Sequence, residues 1–367
     1  MDSTELIPGL PEDIAWSCLV KVSYEWHRQM QTVCRRWKAV LRSKEFYEAR
    51  KRARSSRQFV CMVQALPPSS TARIAKVNGT STLPLALSSY DLHQRSWTRL
   101  CHVPAEFSQA GVPLFSQCVC SNGKLILLGG WNPTSYAALR SVYIFDFFSR
   151  KWCRGSDMLS TRSFFACSTF DGLVFVAGGH DDNKHALATA EVYSVEDDSW
   201  RELPRMSEER DECGGFELNG KFYVVSGYHT HTQGQFVQSG EVYDPKVGNW
   251  NRIENLWMKA TCSAAITAVA CGQLHDFSGQ EVLRYNPDLN SWVVVDAIPE
   301  GRRTVAACTT PTSDCIVVAT ASCSVDMICN YKLFLYKPSL VNDSLWTKIE
   351  SKEDFSCLIQ GLCTVEL

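Results

Sequence analysis

One unit recurs along this chain, and its recurrence limits the fold more than any bulk property. In Arg162–Met206 an apolar run, Leu173–Ala177, opens after Gly172 and closes on the pair Gly178–Gly179. A polar loop follows, then a second run, Ala190–Glu191–Val192–Tyr193, and seven residues beyond that tyrosine stands Trp200. Tyr90, Tyr143, Tyr193, Tyr243, Tyr285 and Tyr336 are followed by Trp97, Trp152, Trp200, Trp250, Trp292 and Trp346, with tryptophan spacings of 55, 48, 50, 42 and 54 residues. Gly123, Gly172 and Gly220 repeat at 49 and 48, as do Gly130, Gly179 and Gly227. A period of about 50 residues marks a repeat architecture rather than one continuous core.

Each unit reads as four short strands; in the third they are Phe164–Thr169, Leu173–Ala177, Ala190–Ser194 and Trp200–Leu203. The runs Leu125–Leu128, Leu173–Ala177 and Phe222–Val225 are apolar throughout rather than alternating, so both faces are expected to be buried. A four-stranded sheet covered by neighbours on both faces is a blade of a β-propeller, with Tyr and Trp filling the space between blades. The first unit, Gln58–Pro104, offers strands at Phe59–Gln64, Leu83–Tyr90 and Trp97–Val103 but lacks a first strand. The last unit ends near Glu350, yet Phe355–Leu367 runs on as an unassigned strand-like segment. That tail is expected to supply the missing strand, closing six blades without a free edge.

Residues 1–57 differ in kind, with 12 Lys and Arg against 7 Asp and Glu and no strand-like alternation. The apolar positions suit two or three short amphipathic helices. Pro11 suits a first helical position, and Glu12 and Asp13 suit the positive end of a helix. So small a unit cannot hide all its apolar side chains, which suggests a face kept for a partner's helices. The run Ala49–Arg57 reads as a solvated helix end and linker, with a nuclear-targeting or phosphate-binding patch as its alternative.

Bulk properties exclude more than they assign. A net charge of −2 argues against a nucleic-acid-binding body, and no apolar run is long enough to span a bilayer. The sequence shows no charged-then-apolar leader. The 17 cysteines include no C-x-x-C, and many sit inside apolar strands, as expected of free thiols in a reducing compartment, the cytoplasm and/or nucleus. No G-x-S-x-G, H-E-x-x-H or phosphate-cradling glycine loop occurs. His180, Asp181, Asp182 and His185, or His229 and His231, could be read as metal ligands, but such groups in hydrophilic loops read better as solvated polar surface. No cofactor or metal is expected.

If strands alternate direction, the loop after strand two and the loop before strand one share a propeller face. That face would collect Trp131, Arg162, His180, Asp181, Lys184, Arg210, Tyr228, His229, His231, Gln235 and Phe236 as a surface for a protein partner. The longest loop, Tyr228–Val237, is the first choice for contact. Arg162 and Arg210 could instead bond loop carbonyls within the ring.

The stretch LPEDIAWSCLVKVSYEWHRQMQTVCRRWKAVLRSKEFY (10–47) resembles an F-box, the motif that docks on the Skp-type adaptor of cullin–RING ubiquitin ligases. The resemblance implies that Leu10, Pro11 and Ile14 enter the adaptor's groove, and that Leu19, Val22, Val33, Cys34 and Trp37 continue or support that surface. Ser23 stands where many F-boxes have proline. The repeat is of kelch type, so the whole chain resembles plant F-box/kelch-repeat proteins: a small all-α F-box followed by an all-β six-bladed kelch β-propeller closed by the C-terminal strand. The stretches at 5–15, 176–187, 210–213 and 234–236 are most similar to the subgroup called KISS ME DEADLY. The resemblance implies a non-catalytic substrate receptor whose targets are phenylalanine ammonia-lyases or type-B cytokinin response regulators, with chalcone synthase the target of a related group. It further implies an F-box with its basic linker at 1–57 and the substrate-binding propeller at 58–367.

Overall fold

The structure is a computed structural model; the residues described are 5–65, 76–77, 80–81, 85–100, 112–257, 266–323, 329–338, 345–351, 355 and 357–367. Six four-stranded antiparallel sheets follow one another along the chain. Blades 2 to 6 are each built from four consecutive strands, with innermost strands Gln117–Ser121, Ala166–Phe170, Gly214–Leu218, Thr267–Ala270 and Arg303–Thr309. In blade 1 the order is Ile359–Glu366, Gln58–Ala65, Leu85–Asp91, Ser96–Arg99, so the end of the chain is the innermost strand of the first blade. Cys363 stands opposite Cys61, and Val365 opposite Phe59. This is the closure expected from the missing strand. A small hairpin, Lys76–Val77 with Thr80–Ser81, lies outside the blades. The expected starts and ends at Leu83 and Val103 lie outside the described residues.

The tryptophan repeat has a specific physical cause. Outer-strand Trp97, Trp200, Trp250 and Trp292 donate their indole N–H to backbone carbonyls of the preceding blade: Glu350, Ser156, Pro204 and Leu256, at 2.7 to 2.8 Å. Trp346 donates to the Asp296 carboxylate at 3.1 Å. Each ring also packs on the aromatic residue opposite it in the third strand, as Trp200 does on Tyr193 with ring centres 4.9 Å apart. Trp97 bonds the last blade from the first, and so staples the junction where the chain's two ends meet. In blade 2 the partner of Trp152 is Phe145, not Tyr143 as the aromatic spacing suggested: Phe145 holds the register position of Tyr193, and Tyr143 faces Arg154.

The inner strands surround a cavity of about 730 Å³. Gly179 shows why the second strand ends in glycine. Its φ is +79°, and a Cβ there would stand 2.3 Å from the Ser163 carbonyl. The approach to the blade's own innermost strand packs against this residue only because nothing projects from it.

Among the described residues, four α-helices come before the blades, α1 (Glu12–Lys21), α2 (His27–Met30), α3 (Arg35–Val40) and α4 (Lys44–Arg52), with a 3-10 turn at Tyr24–Trp26. Pro11 is the residue before the first helical position, not within it. The α1 helix stops at Lys21, and Val22 and Ser23 are extended, so the chain turns here without the proline many F-boxes carry. Leu6, Ala15, Leu19, Val20, Met30, Leu41 and Phe46 form a core of their own. Arg50 is wholly buried beside it, donating to the carbonyls of Val20, Val22 and Ser55 at 2.5 to 2.6 Å. The basic run Ala49–Arg57 is therefore only partly solvated. Arg50 holds the end of α1, and Arg57 pairs with Glu25 at 2.9 Å and Asp91 at 3.4 Å.

Candidate functional site

Two surfaces follow from this architecture, one on the helices and one on the ring. The helices rest on a single face of the ring. Tyr24 donates to the Phe147 carbonyl at 2.6 Å, Gln31 to the Phe148 carbonyl at 2.8 Å, and the Tyr47 ring meets Phe148 edge-on. Burial pushes the Tyr24 phenol up to about 12, against the opposing pull of Arg150, so it remains a donor at any physiological pH. Phe147, Phe148 and Glu196, which Lys44 reaches at 3.4 Å, all belong to turns between third and fourth strands. Lys51 reaches Glu366, at the same end of the innermost strand of blade 1.

On the helices, the expected adaptor residues divide into two groups. Leu10, Ile14 and Val33 are 38%, 48% and 61% exposed, large apolar side chains left in water although a core lies beside them. Pro11 and Cys34 are exposed as well. Arg36 pairs with Glu12 at 2.5 Å, and Trp37 donates its indole N–H to the Leu6 carbonyl at 2.6 Å. These two bonds bring the start of α1 and the segment before it against α3, so Leu10 and Ile14 on one side and Val33 on the other border one junction. Leu19, by contrast, is 2% exposed and belongs to the helical core, while Val22 and Trp37 pack partly against it. A buried side chain offers a partner no surface, so Leu19 supports the helices instead of touching anything beyond them.

On the ring, the loops that follow the second strands gather at the end opposite the helices. Isolated bridges join Leu114 to Trp131, Ser163 to His180 and Asp211 to Tyr228, so each loop pairs with the approach to its own blade. This is the shared face the strand directions imply. The side chains there are not all available. Arg162 and Arg210 are fully buried. Arg162 donates to the carbonyls of Gly178 and Thr189, to Thr189 Oγ1, and to Glu191 at 2.6 Å. Arg210 repeats the arrangement on Ser226, Ser239 and Glu241. The two arginines are clamps that satisfy loop carbonyls inside the ring, and the expectation that they contact a partner is corrected. The acids complete each clamp: Glu191 also accepts the Leu159 and Ser160 amides, and Glu241 those of Ser207 and Glu208.

His180 is likewise buried. Trp131 donates its indole N–H to His180 Nε2 at 3.0 Å, which leaves Nδ1 to donate to Asp211 at 2.9 Å. Both ring nitrogens are occupied, so this histidine positions Trp131 and is no free ligand. Tyr228 and Phe236 are buried against each other at 5.4 Å between ring centres, forming the small core of the Tyr228–Val237 loop. Asp181 accepts the amides of Asn183 and His185 and so shapes its own loop. Exposed or half-exposed positions remain at Trp131, Lys184, His229, His231 and Gln235. The Lys184 ammonium lies 3.6 Å from the Trp131 ring centre.

Three positions passed unnoticed in the sequence. Phe115, Phe164 and Glu212 occupy the same place in successive blades, and all three have positive φ, at 56°, 55° and 50°. Phe115 and Phe164 line the central cavity. Phe115 and Phe164 meet at 4.5 Å and both pack on Trp131, with Tyr136 on its other side. Phe115 and Tyr136 are 41% and 42% exposed. Glu212 accepts from the Tyr228 hydroxyl at 3.2 Å, and burial holds its carboxyl above the usual range. The mouth of the cavity is thus aromatic on blades 2 and 3. The sequence signal for this was the 49- and 48-residue spacing of the three positions, hidden because their chemistry differs. Among the described residues no group of three or more His, Cys, Asp or Glu could hold a metal ion.

Comparison with known proteins agrees with this geometry. Residues 115–159 and 161–207, blades 2 and 3, match the family model described as Kelch motif. The F-box/kelch-repeat protein SKIP20 of Arabidopsis thaliana is 40% identical over 287 residues, covering 69% of this chain and 67% of that protein. F-box/kelch-repeat protein At1g15670, also of Arabidopsis thaliana, is 30% identical across 99% of this chain and 100% of its own length. This chain belongs to the F-box/kelch-repeat family. A further F-box/kelch-repeat relative, At2g44130, is 40% identical over a match that spans 66% of its length, just under two thirds. A solved structure described as "Structure of YjhT" superposes with a TM-score of 0.59 over 71% of this chain and 91% of that one, at 11% identity, which speaks to the propeller fold alone.

Proposed function

We propose that this F-box/kelch-repeat chain is the substrate-recognition subunit of a Skp–cullin–F-box ubiquitin ligase. The observation that carries the reading is the exposed apolar set Leu10, Ile14 and Val33, held outside a helical core that already has what it needs. Such a set has the character of a helix-in-groove contact, and a Skp-type adaptor, bringing cullin and RING subunits, is the partner the F-box implies. The chain itself performs no bond chemistry in this reading. It acts by proximity, holding a target protein near a ubiquitin-loaded enzyme and raising their effective concentration. The target is placed on the face opposite the helices, around Phe115, Trp131, Tyr136, Lys184, His231 and Gln235. Exposed aromatic side chains on a rigid ring suit a protein contact. Similarity to the KISS ME DEADLY subgroup points to phenylalanine ammonia-lyase or a type-B response regulator as the target, in the cytoplasm and/or nucleus.

The test is a pull-down with a Skp-type adaptor. Wild type should bind, and Leu10→Ala/Ile14→Ala/Val33→Ala should not, while the circular dichroism of both is the same. Equal binding by the two would reject the assignment and favour a kelch scaffold outside the ubiquitin system. Capture from plant tissue under proteasome inhibition tests the other face: Phe115→Ala/Tyr136→Ala/Lys184→Ala should lose partners while keeping the adaptor.

A further inference from the structure

Three thiols from two neighbouring blades meet where the chain closes on itself, with the Cys61 thiol of blade 1 hydrogen-bonded to two of them. Cys363 lies in the last strand, which completes blade 1, and Cys118 and Cys120 lie in the first strand of blade 2. The Sγ atom of Cys363 stands 3.3 Å from that of Cys118 and 3.3 Å from that of Cys120. Cys118 and Cys120 are two residues apart on one strand and so project to the same side. The backbones are close as well, since a Cβ built on Gly361 would lie 3.1 Å from the Cys118 Cβ. All three thiols line the central cavity, which gives a small solute a route to them, and Cys120 is the least buried.

We propose that this cluster is an oxidation site at which hydrogen peroxide or another hydroperoxide converts Cys363 and the Cys118/Cys120 pair into an inter-blade disulfide. One thiol attacks the peroxide, its O–O bond breaks, and a sulfenic acid and water are released (water from hydrogen peroxide, an alcohol from an organic hydroperoxide). The Cys363 thiol then displaces hydroxide from that sulfenic sulfur, forming the S–S bond and a second molecule of water. Two thiols lose two electrons and two protons in total, and one peroxide is reduced. Either blade 2 cysteine can take the first role, because both stand at the same distance from Cys363. Burial and the hydrogen bond it shares with Cys363 hold the Cys120 thiol well above its ordinary range, so the reaction quickens as pH rises.

The location gives the bond its consequence. The last strand is held to the rest of blade 1 by backbone pairing and side-chain packing, without a covalent bond, and a disulfide to blade 2 would tie it covalently to the neighbouring sheet. It would also close a loop that takes in five of the six blades, the kind of long cross-link with much chain entropy to remove. Oxidation would therefore stiffen the seam of the propeller without touching either the adaptor face or the loop face.

The experiment treats the full-length protein with graded hydrogen peroxide, quenches free thiols with an alkylating reagent and maps tryptic peptides by mass spectrometry without reduction. A bridge between Cys363 and Cys118 or Cys120 is expected, reversed by dithiothreitol. It should be absent in Cys363→Ser and in Cys118→Ser/Cys120→Ser, and kept in each of Cys118→Ser and Cys120→Ser. Oxidised wild type should melt several degrees above reduced wild type, and Cys363→Ser should show no such rise. Oxidation of exposed Cys18 and Cys34 with no bridge to Cys363, or a bridge joining Cys363 to Cys61 alone, would overturn the proposal. Adaptor binding by reduced Cys363→Ser should match wild type, which separates failure of the thiol site from failure of the ligase reading.

Discussion

Replacing Arg162 with leucine tests whether the arginines of the loop face are clamps or contacts. The guanidinium is fully buried and donates to two carbonyls, one hydroxyl and the Glu191 carboxylate. Leucine removes all four bonds and leaves Glu191 charged, buried and served only by the Leu159 and Ser160 amides. Removing one partner of a buried ion pair costs about 3–5 kcal/mol, most of it the uncompensated charge. With an unfolding entropy of about 2.1 cal/mol/K per residue over roughly 310 propeller residues, that corresponds to a fall in melting temperature of about 5–8 °C. Arg162→Lys keeps the charge but not the fork that reaches several acceptors at once, and should lose about half as much. Arg201→Leu, on an exposed outer strand, is the control and should stay within about 1 °C. Differential scanning fluorimetry with a urea titration reads all three. A fall of less than about 2 °C in Arg162→Leu, together with lost partner capture, would refute the clamp and return Arg162 to the contact surface.

Other expectations follow from the same structure. Deleting residues 359–367 should leave Gln58–Ala65 as an open edge, seen as a broadened unfolding transition and higher-order species in size-exclusion chromatography; a monodisperse, cooperatively melting product would refute closure by the tail. Gly179→Ala and Gly234→Ala share a positive φ of +79° and +77°, but only the first would drive a Cβ to 2.3 Å from a backbone oxygen, the second meeting nothing within 4 Å. Gly234→Ala should cost about 1 kcal/mol from backbone strain, and Gly179→Ala at least twice that, as read from denaturant midpoints. His27 and His275 are buried, and desolvation holds each down to about 4 from 6.5. A depressed histidine pKa means the unfolded chain takes up protons first, so stability is complete above about 6.5 and falls as pH drops toward 4. Each should forfeit about 2 kcal/mol by pH 5, and His27→Gln/His275→Gln should flatten the profile between pH 6.5 and 5.

The repeat makes most of the ring legible in the sequence. Leu173–Ala177 and Ala190–Ser194 are strands with the bounds the apolar runs suggest, because a strand buried on both faces shows plainly as an unbroken apolar run. The missing first strand of blade 1 and the surplus tail pointed to each other for a topological reason, as a propeller tolerates no open edge. Other features were hidden. Strand one of blade 3 starts at Ala166, two residues later than expected, because Phe164 sits at positive φ and turns out of the sheet. Phe115, Phe164 and Glu212 could not be recognised as equivalents because two are aromatic and one is acidic. Arg162 and Arg210 could be read from sequence either as surface contacts or as clamps on loop carbonyls; the structure shows the clamp, and the acids at 191 and 241, in the third strands, make their burial tolerable. In the helices, Leu10 and Leu19 are the same residue type a few turns apart, and the difference between an exposed contact and a core position comes from how α1 packs on α4.

The two ends of the barrel-like ring are made from different kinds of turn. On the underside the chain reverses in tight hairpins such as Asn122–Gly123, and the helices grip residues in those short reversals. At the upper end it travels through longer excursions such as 131–139 and 180–188, anchored at their bases by Arg162, Arg210 and the bridges at Trp131, His180 and Tyr228. Length and composition above the anchors can change without disturbing a single contact below. Upper loops transplanted as a set from one such ring to another, with the arginine-acid pairs left in place, would carry their recognition properties with them while the underside kept its hold.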